Sequence, residues 1–336
     1  MAVKYKDTDF MYSSARVRAL ENSLIGKEKL EHMLDSKNAS DIIDSLSDFG
    51  FETVKAENGT DIKREDTLLS VLKKAYTDVS GMCGELPVLN FLRYQYDCNN
   101  VKAVIKCNSR GVDPSDMLFE LGTVPAKRVS EIIRDKKYSE LPPHMSEAAE
   151  RAAEALASTA NPQQVDLILD KACFADMLDS AKETCVDYIT DLVKTKIDLI
   201  NIMTCIRIIG MKLYFAAEPL MREAYIDGGS FEVDFFISGL EYGLKKLLEV
   251  LEYTPYAPLL RETDESSPLY LIEKAADNLW LEKAKTAKYV PFGAPVLVGY
   301  MIALEYEVKN IRIILAGKDA GLSSATIKER LRGSYV

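Results

Sequence analysis

The stretch Asp166-Leu-Ile-Leu-Asp170 comes nearest in this sequence to a chemical site. Carboxylates at i and i+4 share one face of a helix, and a pair so placed could hold Mg²⁺ against a diphosphate. Such a site needs more oxygen ligands than two carboxylates supply, with cations beside it for the phosphates. A solvated helix face whose acids complement the N-terminal dipole accounts for the pair more simply. Only two histidines occur, His32 and His144, far apart in sequence and too few for a His-rich metal site. There is no G-x-x-x-x-G-K-[ST] to cradle phosphates, no G-x-G-x-x-G and no G-x-S-x-G elbow. No catalytic, cofactor-binding or metal-ligating residue is therefore expected, and no cofactor.

A second polar pattern recurs three times. Asp97 with Asn100, Asp198 with Asn201, and Glu307 with Asn310 each place an acid and an amide three residues apart, on one side of a helix. A buried Asn is costly unless hydrogen-bonded, so three in equivalent places point to a shared packing device linking each helix to its hairpin partner, with direct contact to a binding partner as the alternative. Each pair stands beside an apolar stripe. Met301, Leu304, Val308, Ile311 and Leu315 are spaced 3, 4, 3 and 4. Phe91, Tyr94, Cys98, Val101 and Ile105 repeat that spacing, as do Leu192, Thr195, Leu199, Ile202 and Ile206. Upstream of each Asn lies another helical stretch carrying an acid, Asp66, Asp170 or Asp277, so the repeating unit reads as a helical hairpin. Two residues beyond each Asn stand Lys102, Met203 and Arg312.

Three such hairpins predict an all-α chain of three similar modules, with boundaries near residues 1–112, 113–222 and 223–336. The first helix is expected from about Asp7 to Ile25. Short helices follow at Lys29 to Leu34 and Ser40 to Phe49, the latter capped by Ser40, then a turn at Glu57 to Thr60. Leu141-Pro142-Pro143 reads as a linker, and Asn161-Pro162 as the cap of a helix through Asp166 and Asp170. Asp113 before Pro114 reads as another helix start, and Gly321-Leu322-Ser323 repeats that logic.

At 336 residues and 47% hydrophobic content the chain is long enough for two or three modules with buried cores. A net charge of −10 without a Lys/Arg-dense run argues against a nucleic-acid partner. The six cysteines (83, 98, 107, 173, 185 and 205) form no C-x-x-C pair and read as reduced core thiols of a cytosolic protein. The start lacks the apolar region of a signal peptide, and the uncharged run Val290 to Leu304 contains two prolines and is too short to span a bilayer. Direct membrane insertion is not expected.

With these residues in hand the chain resembles the C subunit of the archaeal and bacterial V/A-type ATPases, whose eukaryotic counterpart is the d subunit. The resemblance rests on Tyr12-Ser-Ser-Ala-Arg-Val-Arg-Ala-Leu20, Asp97-Cys-Asn-Asn100-Val-Lys102, Asp198-Leu-Ile-Asn201, Glu305-Tyr-Glu307-Val-Lys-Asn310-Ile-Arg312 with its extension to Lys318, and Ile327 to Val336. Two departures are Met203, where the other repeats have a cation, and Pro219 after the second repeat helix. The resemblance implies a funnel-shaped protein with its modules about a pseudo-threefold axis. It further implies a cytoplasmic, non-catalytic subunit, one copy per complex, seated between the central rotor shaft and the membrane proteolipid ring, serving ion transport such as proton transport. A free-standing helical scaffold and a Mg²⁺-dependent all-α prenyl-type enzyme are the alternatives.

Overall fold

The computed structural model describes residues 6–55, 62–83, 87–260 and 267–336. The turn expected at Glu57 to Thr60 lies outside them. The described residues are mostly helical, and their one β-type pairing is an isolated antiparallel bridge between Lys55 and Ile62. The class is all-α. The helices are α1 (Met11–Leu20), α2 (Lys27–Asp35), α3 (Ala39–Ser45), α4 (Arg64–Cys83), α5 (Asn90–Arg110), α6 (Ala126–Asp135) and α7 (Pro143–Thr159). They continue with α8 (Pro162–Glu183), α9 (Asp187–Met211), α10 (Ala217–Ala224), α11 (Val233–Leu251), α12 (Leu269–Lys285), α13 (Ala294–Asp319) and α14 (Ser324–Arg330).

Several ends follow local chemistry. Asn161 accepts from the Gln163 N–H and Pro162 opens α8, and Ser323 accepts from the Thr326 N–H to start α14. The early short helix is capped by Asn38, which accepts from the Asp41 N–H, so it begins before Ser40. The expected helix start at Asp113 is not a helix cap: its carboxylate accepts from the Ser115 N–H and hydroxyl, and only a 3-10 turn follows, with Pro114 at its N-cap. The double proline after Leu141 is no long linker: Pro143 is the first residue of α7, where a missing N–H costs nothing. The first helix is shorter than its periodicity suggests, α1 being flanked by 3-10 turns at Asp7–Phe10 and Glu21–Ser23.

The chain gathers into two compact units, each with its own core. One runs from Pro87 to Tyr253. Within it α5 and α8 lie antiparallel, a direction fixed by Lys102 reaching Asp170 while Lys106 reaches Asp166. Helix α7 packs on both, supplying the small buried residues Ala148, Ala149 and Ala152 that let the backbones approach. Helix α9 takes α8, α10 and α11 as neighbours.

The second unit joins the described residues up to Cys83 with Thr254–Val336. Its centre is α13, buried without a break from Ala294 to Leu304 because α1, α2, α3, α4, α12 and α14 all touch it. That encirclement explains the uncharged run of the sequence. Among the described residues, no helix is long and apolar enough to cross a membrane.

Some pairings skip the sequence neighbour: α8 packs on α5 as well as on α9, and α4 packs on α13, although α12 precedes α13 and packs there too. The first and last parts of the chain thus build one core together.

Candidate functional site

Each of the six residues in the acid and Asn pairs is at most 6% exposed. Every Asn does the same thing. The Asn100 carboxamide donates to the Phe119 carbonyl and accepts from the Phe119 N–H, both at 2.8 Å. Asn201 treats Ile226 likewise, at 2.8 and 3.0 Å. Asn310 closes on Arg332, donating at 3.3 Å and accepting at 2.8 Å. One amide side chain therefore satisfies both backbone groups of a residue 19, 25 or 22 positions later, where the chain returns past its own long helix. The anchored segment follows the long helix; it is not the upstream arm of a hairpin.

Four residues beyond the anchored backbone, the acid takes hold. Asp97 accepts from the Thr123 N–H and hydroxyl at 2.9 and 2.6 Å and from the Val124 N–H at 3.0 Å. Asp198 accepts from the Ser230 N–H at 2.7 Å. A glycine precedes each turn because the carboxylate crowds the backbone: a Cβ on Gly122 or Gly229 would overlap an oxygen of Asp97 or Asp198. The expected result for Gly122→Ala is a loss of about 2–4 kcal/mol in a urea melt, since the new methyl group displaces a buried carboxylate from its donors.

In the third repeat a different segment answers the acid. Four residues beyond Arg332 is Val336, yet Glu307 accepts from the Ile25 N–H at 2.6 Å. Ile25 precedes Gly26, at which a Cβ would lie 3.7 Å from Val336. The segment around Ile25 thus supplies the donor that residues 123 and 230 supply elsewhere, and the longer Glu side chain spans the gap. Burial pushes the Glu307 carboxyl from an ordinary 4.5 to about 8, with the Ile25 N–H and the Lys29 charge opposing the shift. Asp97 is also raised by burial, against its three donors and Arg93.

The upstream acids diverge in role. Asp170 pairs with Lys102 at 2.6 Å and Asp166 with Lys106 at 2.5 Å, both across the α5–α8 seam. Asp277 takes Lys309 at 2.6 Å and Arg332 at 2.8 Å, securing the last segment of the chain. Asp66 lies 4.0 Å from Lys63 on an exposed face. Arg312, the counterpart of Lys102, binds Glu65 of α4, while Met203 at the equivalent place in α9 is buried at 6% exposure. The second repeat therefore replaces an ion pair with apolar packing.

The enzymatic candidate pair has clear partners. Asp166 and Asp170 hold two ammonium groups, the pairing expected of a structural seam. A hollow of about 290 Å³ borders Asp170, with mainly apolar walls that include Leu167, Phe174, Ile208 and Leu220 beside the polar Gln163, Thr204 and Arg207. Among the described residues no group of three His, Cys, Asp or Glu is placed to hold a metal ion. Replacing both Asp166 and Asp170 by Asn is expected to lower stability by about 1 kcal/mol, measured by denaturant titration, because both carboxylates are partly solvated.

His32 lies on α2 and His144 on α7, where the ring of His144 meets Asp179 at 2.9 Å. The partners of the acid and Asn pairs carry one sequence signal: Gly122-Thr123 and Gly229-Ser230 each offer a small turn with an N–H and a hydroxyl. The Asn partners Phe119, Ile226 and Arg332 share no residue type, since only their backbone is used.

A family model described as "ATP synthase (C/AC39) subunit" matches residues 13–330. The C subunit of the A-type ATP synthase of Methanocaldococcus jannaschii is 25% identical, over 96% of this chain and 86% of its own length. The corresponding C subunit from Thermococcus kodakarensis is 24% identical, over 97% and 91%. The C subunit of the V-type sodium ATPase of Enterococcus hirae is 23% identical, over 95% of this chain and 97% of its own.

Proposed function

The chain belongs to the ATP synthase (C/AC39) subunit family, and from that premise we propose that it is the non-catalytic socket of a rotary ATPase, coupling the central shaft to the membrane proteolipid ring. It acts from the cytoplasmic side, without entering the bilayer, as one copy per complex. Ion movement driven by ATP, or ATP synthesis driven by ions, passes its torque through this chain. Three modules centred on α5, α9 and α13 form the body, and the six acid and Asn residues are its internal fasteners.

The observation that carries this reading is the thrice-used polar clasp. A torque-bearing connector must resist shear, and a side chain that fixes both backbone groups of a returning segment stiffens each long helix against the chain that wraps it. Dry apolar contact alone allows sliding; a clasp with directional donors sets one register. The clasp residues thus contribute rigidity and leave binding to the surface.

Mixing the purified chain with shaft subunits and with detergent-solubilised ring tests the proposal. The expected result is a stoichiometric complex with each, one chain per ring. A chain that stays monomeric beside both would indicate a free-standing scaffold, and diphosphate turnover that disappears on mutating Asp166 would indicate an enzyme.

A further inference from the structure

Two buried thiols face one another across the α5–α8 seam, and neither the clasp nor the coupling role uses them. Cys98 donates its S–H to the Leu169 carbonyl at 3.5 Å, and Leu169 stands four residues before Cys173. Cys173 donates to the Tyr94 carbonyl at 3.6 Å, and Tyr94 stands four residues before Cys98. The arrangement is reciprocal. In an antiparallel pair of helices this symmetry centres the contact on the two cysteines and sets their side chains beside one another across the seam. The Met177 thioether lies 3.9 Å from the Cys173 sulfur.

Cys107, Cys185 and Cys205 make no such pair. Cys107 meets the Met117 thioether, Cys205 donates to the Phe236 carbonyl, and Cys185 is exposed. Small apolar side chains would fill the seam as well, as Ala148, Ala149 and Ala152 do on α7. What alanines would not provide is paired sulfur atoms between two helices that are already ion-paired one turn and two turns further along.

We propose that Cys98 and Cys173 are a redox-responsive pair whose oxidation to a disulfide staples α5 to α8. Two S–H bonds break and one S–S bond forms; two electrons and two protons pass to a thiol oxidant. With a diazenedicarboxamide oxidant, both are taken up as its N=N bond becomes N–N with two N–H groups. The attacking species is a thiolate. The Cys98 neighbour and burial hold the Cys173 thiol well above its ordinary range, which keeps its thiolate scarce and slows the attack. Once formed, the bond closes the chain between residues 98 and 173 and fixes the helix whose adjacent Asp97 holds the Thr123 turn.

The test exposes the full folded chain to diamide, then denatures it, blocks free thiols with N-ethylmaleimide and maps tryptic peptides. The expected product joins Tyr94–Lys102 to Ala172–Lys182, lighter by two hydrogen atoms than the separate thiol peptides and separable again by dithiothreitol. Its thermal midpoint should rise by about 5 °C or more. Cys205→Ala should retain the link, whereas Cys98→Ala and Cys173→Ala should each abolish it while native circular dichroism is kept. Recovery of both peptides as maleimide adducts after exposed Cys185 has been consumed, or linkage of either cysteine to a different one, would overturn the proposal.

Discussion

Asn201→Ala should cost roughly 3–5 kcal/mol, the largest loss expected of any single substitution at the clasps. Asn201 and its bonds to Ile226 are fully buried, so truncation strands an N–H and a carbonyl together with no solvent to replace the lost amide. A urea melt of the variant against the parent measures the difference through its midpoint at constant slope. Asn201→Asp should be little better, because a carboxylate keeps an acceptor for the Ile226 N–H but offers no donor to its carbonyl and brings a charge into the core. Exposed Asn99→Ala provides the contrast and should change stability by no more than about 0.5 kcal/mol.

Glu307 yields the second large effect, one with a defined pH window. Its carboxyl titrates near 8 in the folded chain and near 4.5 when unfolded, so between those values the folded state holds a proton that the unfolded state has lost. Stability from this group is complete below about pH 4.5 and is lost as pH rises towards 8, at about 1.4 kcal/mol per pH unit. Glu307→Gln retains an acceptor for the Ile25 N–H without the ionisation. Denaturant melts from pH 5 to 9 should show the parent weakening more steeply than the variant, with the two nearly equal at pH 5 and the variant the more stable at pH 9. Parallel curves would place the Glu307 titration outside this window.

Much of this organisation is legible in the sequence, for physical reasons that differ from residue to residue. The long helices announce themselves because Phe91 to Ile105, Leu192 to Ile206 and Met301 to Leu315 keep one apolar spacing, and burial demands that spacing of a helix enclosed by others. The acid and Asn pairs stand out because i and i+3 share a face. What they hold does not. A carboxamide that clasps a backbone is indifferent to the side chain there, so Phe119, Ile226 and Arg332 leave no common trace.

The packing order is partly readable in charge. Lys102 and Lys106 repeat at four residues, as do Asp166 and Asp170, and matching them in reverse gives the antiparallel α5–α8 seam. The same logic joins Arg312 to Glu65 and Arg64 to Asp319, placing α4 against α13. No local rule reveals that the Ile25 segment answers Glu307, since 282 residues separate the partners. That contact is set by the packing of α13 among the first helices of the chain, and only the folded arrangement brings its two halves together.

Mechanical coupling is the central claim, and reconstitution into sealed vesicles tests it most directly. Rotary complexes assembled with and without this chain would be compared for ATP hydrolysed and ions moved in the same preparation. The account predicts that the soluble head without the chain still hydrolyses ATP but moves no ions, and that adding one copy per complex restores transport. Equal ion movement per ATP in the absence of the chain would contradict it.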